Sequence, residues 1–368
     1  MILMNNLAAE SPALREGILQ AVRRVIESGR YILDAEVAAF EKRWARTCGV
    51  AYAAGVANGM DAIEIALRAM QIGPGDEVIT TPMTAFATVL AVIRAGATPV
   101  LADIDAQTGL LGIDSARRCI TSKTRAVLLV HLYGRVGAMD GWLALCRERG
   151  LALVEDCAQA HGASFDGKVA GSFGIAGAYS FYPTKNLGAL GDGGALVTND
   201  AQIDEKARCL RNYGQTTRFH HPETGLNSRL DEMQAAILSE RLGELAEQTS
   251  KRRAIARYYH ANIENRHITM LVRPQQESSH VYHLFVVTCR SRDHLQHYLN
   301  GQGIQSLVHY PVPVHHQRAC RAIRRDGAGL PHSETHAGTC LSIPIHPHLS
   351  EDELQTIVRA LNRYSGPI

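Results

Sequence analysis

A chain of 368 residues has room for one large domain and a smaller one, each with a core of its own. Its 46% hydrophobic and 20% charged content is that of an ordinary globular enzyme, and a net charge of +2 gives no electrostatic reason to bind nucleic acid or a membrane surface. No stretch approaches eighteen uninterrupted apolar residues, and the start, MILMNNLAAESPALREG, has no basic segment leading into an apolar one, so a cytoplasmic protein is expected. The eight cysteines are scattered without a C-x-x-C pair and read as free thiols in a reducing compartment. Among seventeen histidines, His220 and His221, or His315 and His316, have no metal-ligand context, and no metal is expected.

In chain order, the apolar spacing predicts a helix over 12–28, stopped by Gly29, and a second over 35–47. Residues 51–70 read as a strand, a turn at Ala57, Asn58 and Gly59, and a helix with Ile63, Ile65, Leu67 and Met70 inward. Strands are expected in GPGDEVITTP and GATPVLADID, joined by a helix over 86–94, then a strand over 126–132 and a helix over 138–149. Alternating buried strand and helix over this half argues for a mostly parallel sheet between helices, an α/β fold. Residues 210–229 are polar and irregular, a loop of the length that is usually functional. One long amphipathic helix is expected over 229–259, with the domain boundary along it. That gives a large domain over 1–245 and a smaller α+β domain over 246–368, with strands around 281–289, a helix over 292–300 and a closing helix over 351–364.

Two stretches carry chemistry. In Tyr179 to Thr198, YSFYPTKNLGALGDGGALVT, apolar runs enter and leave a glycine-rich loop that holds Lys185. An ammonium taken out of water finds a counter-charge or loses its proton, and the neutral amine is a nucleophile that forms a Schiff base with a carbonyl. A lone lysine in such a loop is more often a solvated surface residue. What shifts the balance lies upstream. The apolar run Leu151 to Val154 reads as a buried strand that ends abruptly at Glu155 and Asp156, followed by Gln159 and His161. Ligands of open α/β sheets sit at strand carboxyl ends, and a carboxylate there can keep a pyridine nitrogen protonated.

The segments GVANGMDAIEIALRAMQIGPGDEVI, VHLYG, EDCAQAHGA, SFYPTKNLGALGDGGALVTND and GLNSRLDEMQAAIL, in that order, resemble the DegT/DnrJ/EryC1/StrS family of pyridoxal-phosphate-dependent sugar aminotransferases. The resemblance implies a type I aminotransferase fold, pyridoxal 5′-phosphate as cofactor, and a nucleotide-linked keto sugar and L-glutamate (leaving as 2-oxoglutarate) as substrates. By the same resemblance Lys185 carries the cofactor, Asp156 faces its ring nitrogen, Gln159 contacts the ring or its oxygen, and the amides of Gly59 and Met60 with Ser180 hold the phosphate. The family places an aromatic after Thr84, where this chain has Ala85, so Ala85 alone is expected over the ring. In a homodimer, Asn227 reaches the partner's cofactor phosphate. Tyr31, Tyr182, Arg218, Arg229, His309 and Tyr310 face the sugar nucleotide. GALGDGGA looks most like members that aminate C3 of a dTDP-linked 3-keto-6-deoxysugar. The alternatives are C4 amination of a UDP- or GDP-linked sugar, and a regulatory relative that only binds the cofactor. Relatives that dehydrate deoxysugars commonly carry His in place of the lysine, and Lys185 speaks against them. No DNA-binding segment is seen.

Overall fold

The computed structural model describes residues 1–367. The chain starts with two helices, α1 (Pro12–Ser28) and α2 (Ala35–Cys48). The Ser11 side chain accepts from the Leu14 N–H and Pro12 opens the first turn of α1, while Gly29 closes it at φ 64°. Then follow β1 (Tyr52–Val56), α3 (Gly59–Ala69), β2 (Glu77–Thr80), α4 (Phe86–Arg94), β3 (Thr98–Leu101), α5 (Ile113–Cys119), β4 (Thr124–Val130), α6 (Met139–Arg149) and β5 (Ala152–Asp156). A small hairpin, β6 (Ser164–Phe165) and β7 (Lys168–Val169), precedes β8 (Ala176–Ser180), β9 (Gly194–Thr198) and α7 (Ala201–Leu210). The remainder is α8 (Glu232–Leu242), α9 (Leu245–Asn262), β10 (Thr269–Met270), β11 (Phe285–Thr288), α10 (Arg292–Gly301), β12 (Arg324–Arg325), α11 (Pro331–Thr339), β13 (Cys340–Ile343) and α12 (Glu351–Arg363).

Eight strands form one sheet in the order β1-β9-β8-β5-β4-β2-β3-β12. It is parallel from β8 to β12, and β9 runs antiparallel to both its neighbours, β8 and β1. Strand alternation sorts the core onto two faces. Val127, Leu129, Ala195 and Val197 pack with Phe40, Trp44, Tyr179 and Phe181. Ala126, Leu128, Val154 and Leu196 pack on the other face with Ile63, Ile65 and Leu67 of α3. Helix α3 is buried almost all round, because α4 and α7 cover the side that the periodicity leaves outward. A three-stranded antiparallel sheet, β10-β11-β13, backs a third core built from Ile255 and Tyr259 of α9, Leu295 and Leu299 of α10, and Ile357 and Leu361 of α12.

The structure departs from the expected elements in several places. The single helix over 229–259 is two, broken at Gly243 and Glu244. Helix α8 must lay Ile237 against Leu14 and Ile18 of α1, whereas α9 must reach the third core, so the axis turns between them. Helix α7 lies where no helix was expected; the Asp200 side chain caps it by accepting from the Gln202 and Ile203 N–H groups. Strand β12, two arginines long, comes from beyond residue 246 and pairs with β3 of the large sheet. All eight cysteines are buried and unpaired. Among the described residues no helix is long and apolar enough to cross a membrane.

Candidate active site

The parallel strands β4, β5 and β8 bring their carboxyl ends to one edge, in the register Val130 opposite Asp156 and Asp156 opposite Ala178. Asp156 is the last residue of β5 and buried. Its Oδ2 accepts from the Thr88 hydroxyl at 2.8 Å and its Oδ1 from the Ala158 N–H at 3.1 Å. Thr88 spends its only hydrogen on the carboxylate, so in the 2.7 Å contact between Thr84 and Thr88 it is Thr84 that donates. These two threonines, four apart at the start of α4, form a relay that fixes the plane of the carboxylate while leaving its remaining lone pairs free.

Lys185 sits on a loop pinned by backbone bonds from Phe181 N–H to Gly193 O and from Ala189 N–H to Phe181 O, both 2.7 Å, and from Lys185 N–H to Tyr182 O, 2.8 Å. Part of the residue meets solvent, but its amine is enclosed. Burial lowers the amine's pKa to about 8, partly opposed by the charge of Asp156. Three histidines around it are kept neutral by burial first and by the lysine's charge second: His161 at about 3, His309 at about 4, and His283 well below the usual imidazole range. His161 donates from Nε2 to Ser180 O at 3.0 Å and packs among Trp44, Tyr179 and Phe181, leaving Nδ1 without a partner among the described residues. His283 Nδ1 meets Asn186 Oδ1 at 3.2 Å, and His309 Nδ1 meets Ser342 Oγ at 2.9 Å.

A second network closes the edge. The Gln159 side chain accepts from the Tyr133 N–H at 2.6 Å and donates to the Tyr310 hydroxyl at 3.3 Å. Burial, then the Asp156 charge, pushes the Tyr310 phenol up to about 12, so it stays protonated. Tyr133, at φ 62°, donates its hydroxyl to His309 O at 2.7 Å, which leaves His336 Nε2, 2.9 Å away, as donor to Tyr133.

The third part is the N-terminus of α3. Asn58 satisfies the Asp61 N–H with its side chain and the Ala62 N–H with its carbonyl, leaving the Gly59 and Met60 amides without a partner among the described residues. Both face a dipole that favours an anion. A Cβ on Gly59 would lie 2.7 Å from the Ser180 Cβ, so only glycine lets the serine at the end of β8 stand against this helix end. Two free amides and a hydroxyl for a phosphate, a fixed carboxylate for a pyridine nitrogen and a depressed lysine for an aldehyde suit pyridoxal phosphate.

A sequence profile of the DegT/DnrJ/EryC1/StrS aminotransferase family matches residues 12–362. The chain belongs to that family. It is 46% identical over 347 residues to a dTDP-3-amino-3,6-dideoxy-alpha-D-galactopyranose transaminase of Aneurinibacillus thermoaerophilus, covering 94% of this chain and 95% of the other. It is 42% identical over 360 residues to a dTDP-3-amino-3,4,6-trideoxy-alpha-D-glucose transaminase of Streptomyces venezuelae, covering 98% and 95%. Its fold matches the crystal structure of S. venezuelae DesV in complex with a ketimine intermediate, with a TM-score of 0.95, 41% identity, and coverage of 100% and 99%.

Within this member of the DegT/DnrJ/EryC1/StrS family the structure gathers Lys185, Asp156, Gln159, Ser180, Gly59, Met60, His309 and Tyr310 around the strand ends. Ala85 is the N-cap of α4 and Phe86 turns outward, 37% exposed. Tyr182 stands at the rim, 52% exposed. Among the described residues no hydrogen bond or ion pair joins Tyr31, Arg218, Asn227 or Arg229 to the lysine cluster. Arg229 donates to Asn212 Oδ1 and lies over the Tyr213 ring, Arg218 lies over Phe219, and Asn227 is exposed. The residues that sequence reasoning missed are Thr84, Thr88, Tyr133, Asn186 and His283; the only signal was a pair of threonines at helical spacing in an otherwise apolar segment.

Among the described residues two further groups of metal-type side chains occur. Glu155 is fully buried and saturated: Oε2 meets His131 Nε2 and the Gly171 N–H, Oε1 the Phe173 and Gly174 N–H groups, all at 2.8 Å. It therefore ties the loop before β8 to the strand that ends in Asp156. His315 and His316, expected to stand without ligand context, do meet a carboxylate, Glu334, at 3.1 and 3.6 Å. Helix α11, which brings it there, was not visible in the sequence.

Proposed function

We propose that this chain is a pyridoxal-phosphate-dependent aminotransferase that converts a dTDP-linked 3-keto-6-deoxyhexose to the 3-amino sugar, with L-glutamate as amino donor. The observation that carries the reading is the pairing of a depressed buried lysine, Lys185, with a carboxylate, Asp156, held by two hydrogen bonds at the same sheet edge. When bound, pyridoxal phosphate supplies an electron sink that stabilises negative charge on the carbon bearing the amino group. The chain supplies the rest. The amides of Gly59 and Met60 and the Ser180 hydroxyl bind the phosphate. Asp156 holds a proton on the ring nitrogen, and the threonine relay orients it. Lys185 Nζ, its pKa lowered to about 8, anchors the cofactor, and once released takes a proton from the donor carbon and returns one to the sugar carbon. The neutral histidines keep further positive charge from competing with Asp156.

The enzyme works as a homodimer in the cytoplasm. In that arrangement the loop over 210–229 reaches across to the other subunit, which accounts for Asn227 and Arg218 being exposed. Asn227 then supports the partner's cofactor phosphate, and Arg218 and Arg229 offer guanidinium forks to the nucleotide diphosphate. The dTDP carrier and C3 are supported by the similarity to the two dTDP-3-amino-sugar transaminases above. The test is incubation of holoenzyme and L-glutamate with dTDP-linked 3-keto and 4-keto sugars and a UDP-linked 3-keto sugar. A 3-amino product from the first substrate is expected; preferred turnover of either other substrate overturns the substrate assignment.

A further inference from the structure

A small cleft lies between the lysine loop, residues 5–7 of the N-terminal segment, helix α9 and residues 346–348. It includes none of the residues assigned above to the cofactor phosphate, the ring nitrogen or the sugar nucleotide. Two arginines line it, and they differ. Arg241 is neutralised by Glu10, 2.5 Å from Nη2, while its Nη1 is taken by the carbonyls of Gly188 and Ala189. Arg252, on α9, is buried, 6% exposed, and has no carboxylate within ion-pair distance among the described residues. Its Nη1 donates to Ile345 O at 2.6 Å and Tyr282 O at 3.3 Å. Nε and Nη2 have no hydrogen-bond partner among the described residues, yet neither is sealed from solvent, and the cleft is the space that Arg252 lines. Burial lowers its pKa to about 10, and no neighbouring charge opposes the shift, so the guanidinium stays charged without a counter-ion.

A buried charge of this kind calls for an anion, and the free groups around it say which. Nε–H and Nη2–H form the guanidinium edge whose parallel donors match two oxygens of one anion. The side chains of Asn5, Asn6 and Thr184 also line the cleft and have no hydrogen-bond partner among the described residues. Donors therefore reach the space from three separate segments of the chain. A tetrahedral oxyanion presents oxygens in several directions, whereas a carboxylate presents two in one plane. The cavity is about 70 Å³. A single water needs roughly 10–15 Å³, so an ion of a few heavy atoms fits, while a nucleotide takes a pocket of roughly 300 Å³ or more. We propose that this cleft binds inorganic phosphate, with two of its oxygens on the Nε/Nη2 edge of Arg252 and the others on Asn5, Asn6 and Thr184, so that the anion clamps the lysine loop to α9. The site takes no part in the transfer of the amino group and stands independently of the function proposed above.

The probe is inorganic phosphate, titrated calorimetrically at constant ionic strength into holoenzyme of wild type, Arg252→Lys and Arg252→Met, with acetate and saturating dTDP as competitors. Holoenzyme is used because its cofactor already fills the phosphate site at α3. Arg252→Lys keeps the charge and one donor to the carbonyls but loses the parallel edge, so it remains informative where Arg252→Met fails to fold. Expected are one phosphate per chain in wild type, binding about tenfold weaker in Arg252→Lys and none in Arg252→Met, with dTDP leaving the wild-type affinity unchanged. Amide hydrogen exchange with phosphate present should slow in residues 183–189 and 5–7 of wild type alone. No binding in wild type, or equal binding in the folded variants, overturns the site and makes Arg252 a brace for two carbonyls. Competition by dTDP, or slowed exchange in residues 58–60 or 210–229 in place of the lysine loop, overturns it in favour of the nucleotide or cofactor phosphate. Acetate bound as tightly as phosphate overturns the tetrahedral assignment.

Discussion

The pKa of Lys185 can be tested without any sugar. An ordinary lysine at 10.5 and one at about 8 differ in neutral fraction at pH 7 by roughly 300-fold. Only the neutral amine attacks an aldehyde, so the rate at which protein stripped of cofactor captures pyridoxal phosphate should rise about tenfold per pH unit and level off near pH 8. Asp156 raises this pKa, since it stabilises the ammonium. Asp156→Asn should therefore move the midpoint to lower pH, even while it reduces turnover. Linkage gives an independent reading. Because the folded pKa lies below the unfolded one, the unfolded state binds more protons between about pH 8 and 10.5, and stability must rise with pH across that window. The stripped wild type should gain up to about 3 kcal/mol relative to Lys185→Met between pH 8 and pH 10.5 in denaturant titrations. A capture midpoint near 10.5, or one that rises in Asp156→Asn, would refute the argument that burial sets the lysine and Asp156 opposes it.

Three substitutions examine the surroundings. Thr88→Val removes the donor to Asp156 at nearly constant volume; turnover should fall about tenfold, and Thr88→Ser should restore it, with melting temperatures checked alongside. Gly59→Ala drives a methyl into Ser180 and should weaken retention of pyridoxal phosphate about tenfold in equilibrium titration, whereas unchanged affinity would remove these amides from the phosphate site. Glu155→Gln presents an NH₂ group to backbone N–H donors and should cost about 2–4 kcal/mol of stability; an unaltered melting temperature would show that the loop before β8 holds without it.

What was legible in the sequence was whatever a short window displays. The apolar runs that deliver Asp156 and Lys185 are continuous in sequence, and both residues stand where those runs break off. The turn before α3 announced itself by Asn58 and Gly59. Thr88 acts on a carboxylate 68 residues away and Tyr133 on a carbonyl 176 residues away, and no local pattern encodes either meeting. Arg252 is one of several basic residues on α9, and nothing in its neighbours distinguishes the one that is buried. Strand β12 has no apolar signature because it is a two-residue edge, and Gly243 could not be recognised as a break while the helical spacing ran through it. The loop over 210–229 was recognised as irregular, but its purpose depends on a second subunit, which no reading of one chain's contacts supplies.

The most direct test of the central claim is the visible absorption spectrum of purified protein with pyridoxal phosphate, before and after L-glutamate, in wild type and Lys185→Ala. The account predicts a lysine-bound band in wild type alone, which glutamate converts to that of pyridoxamine phosphate. A wild-type band that glutamate leaves untouched, or an equal conversion in Lys185→Ala, would contradict it.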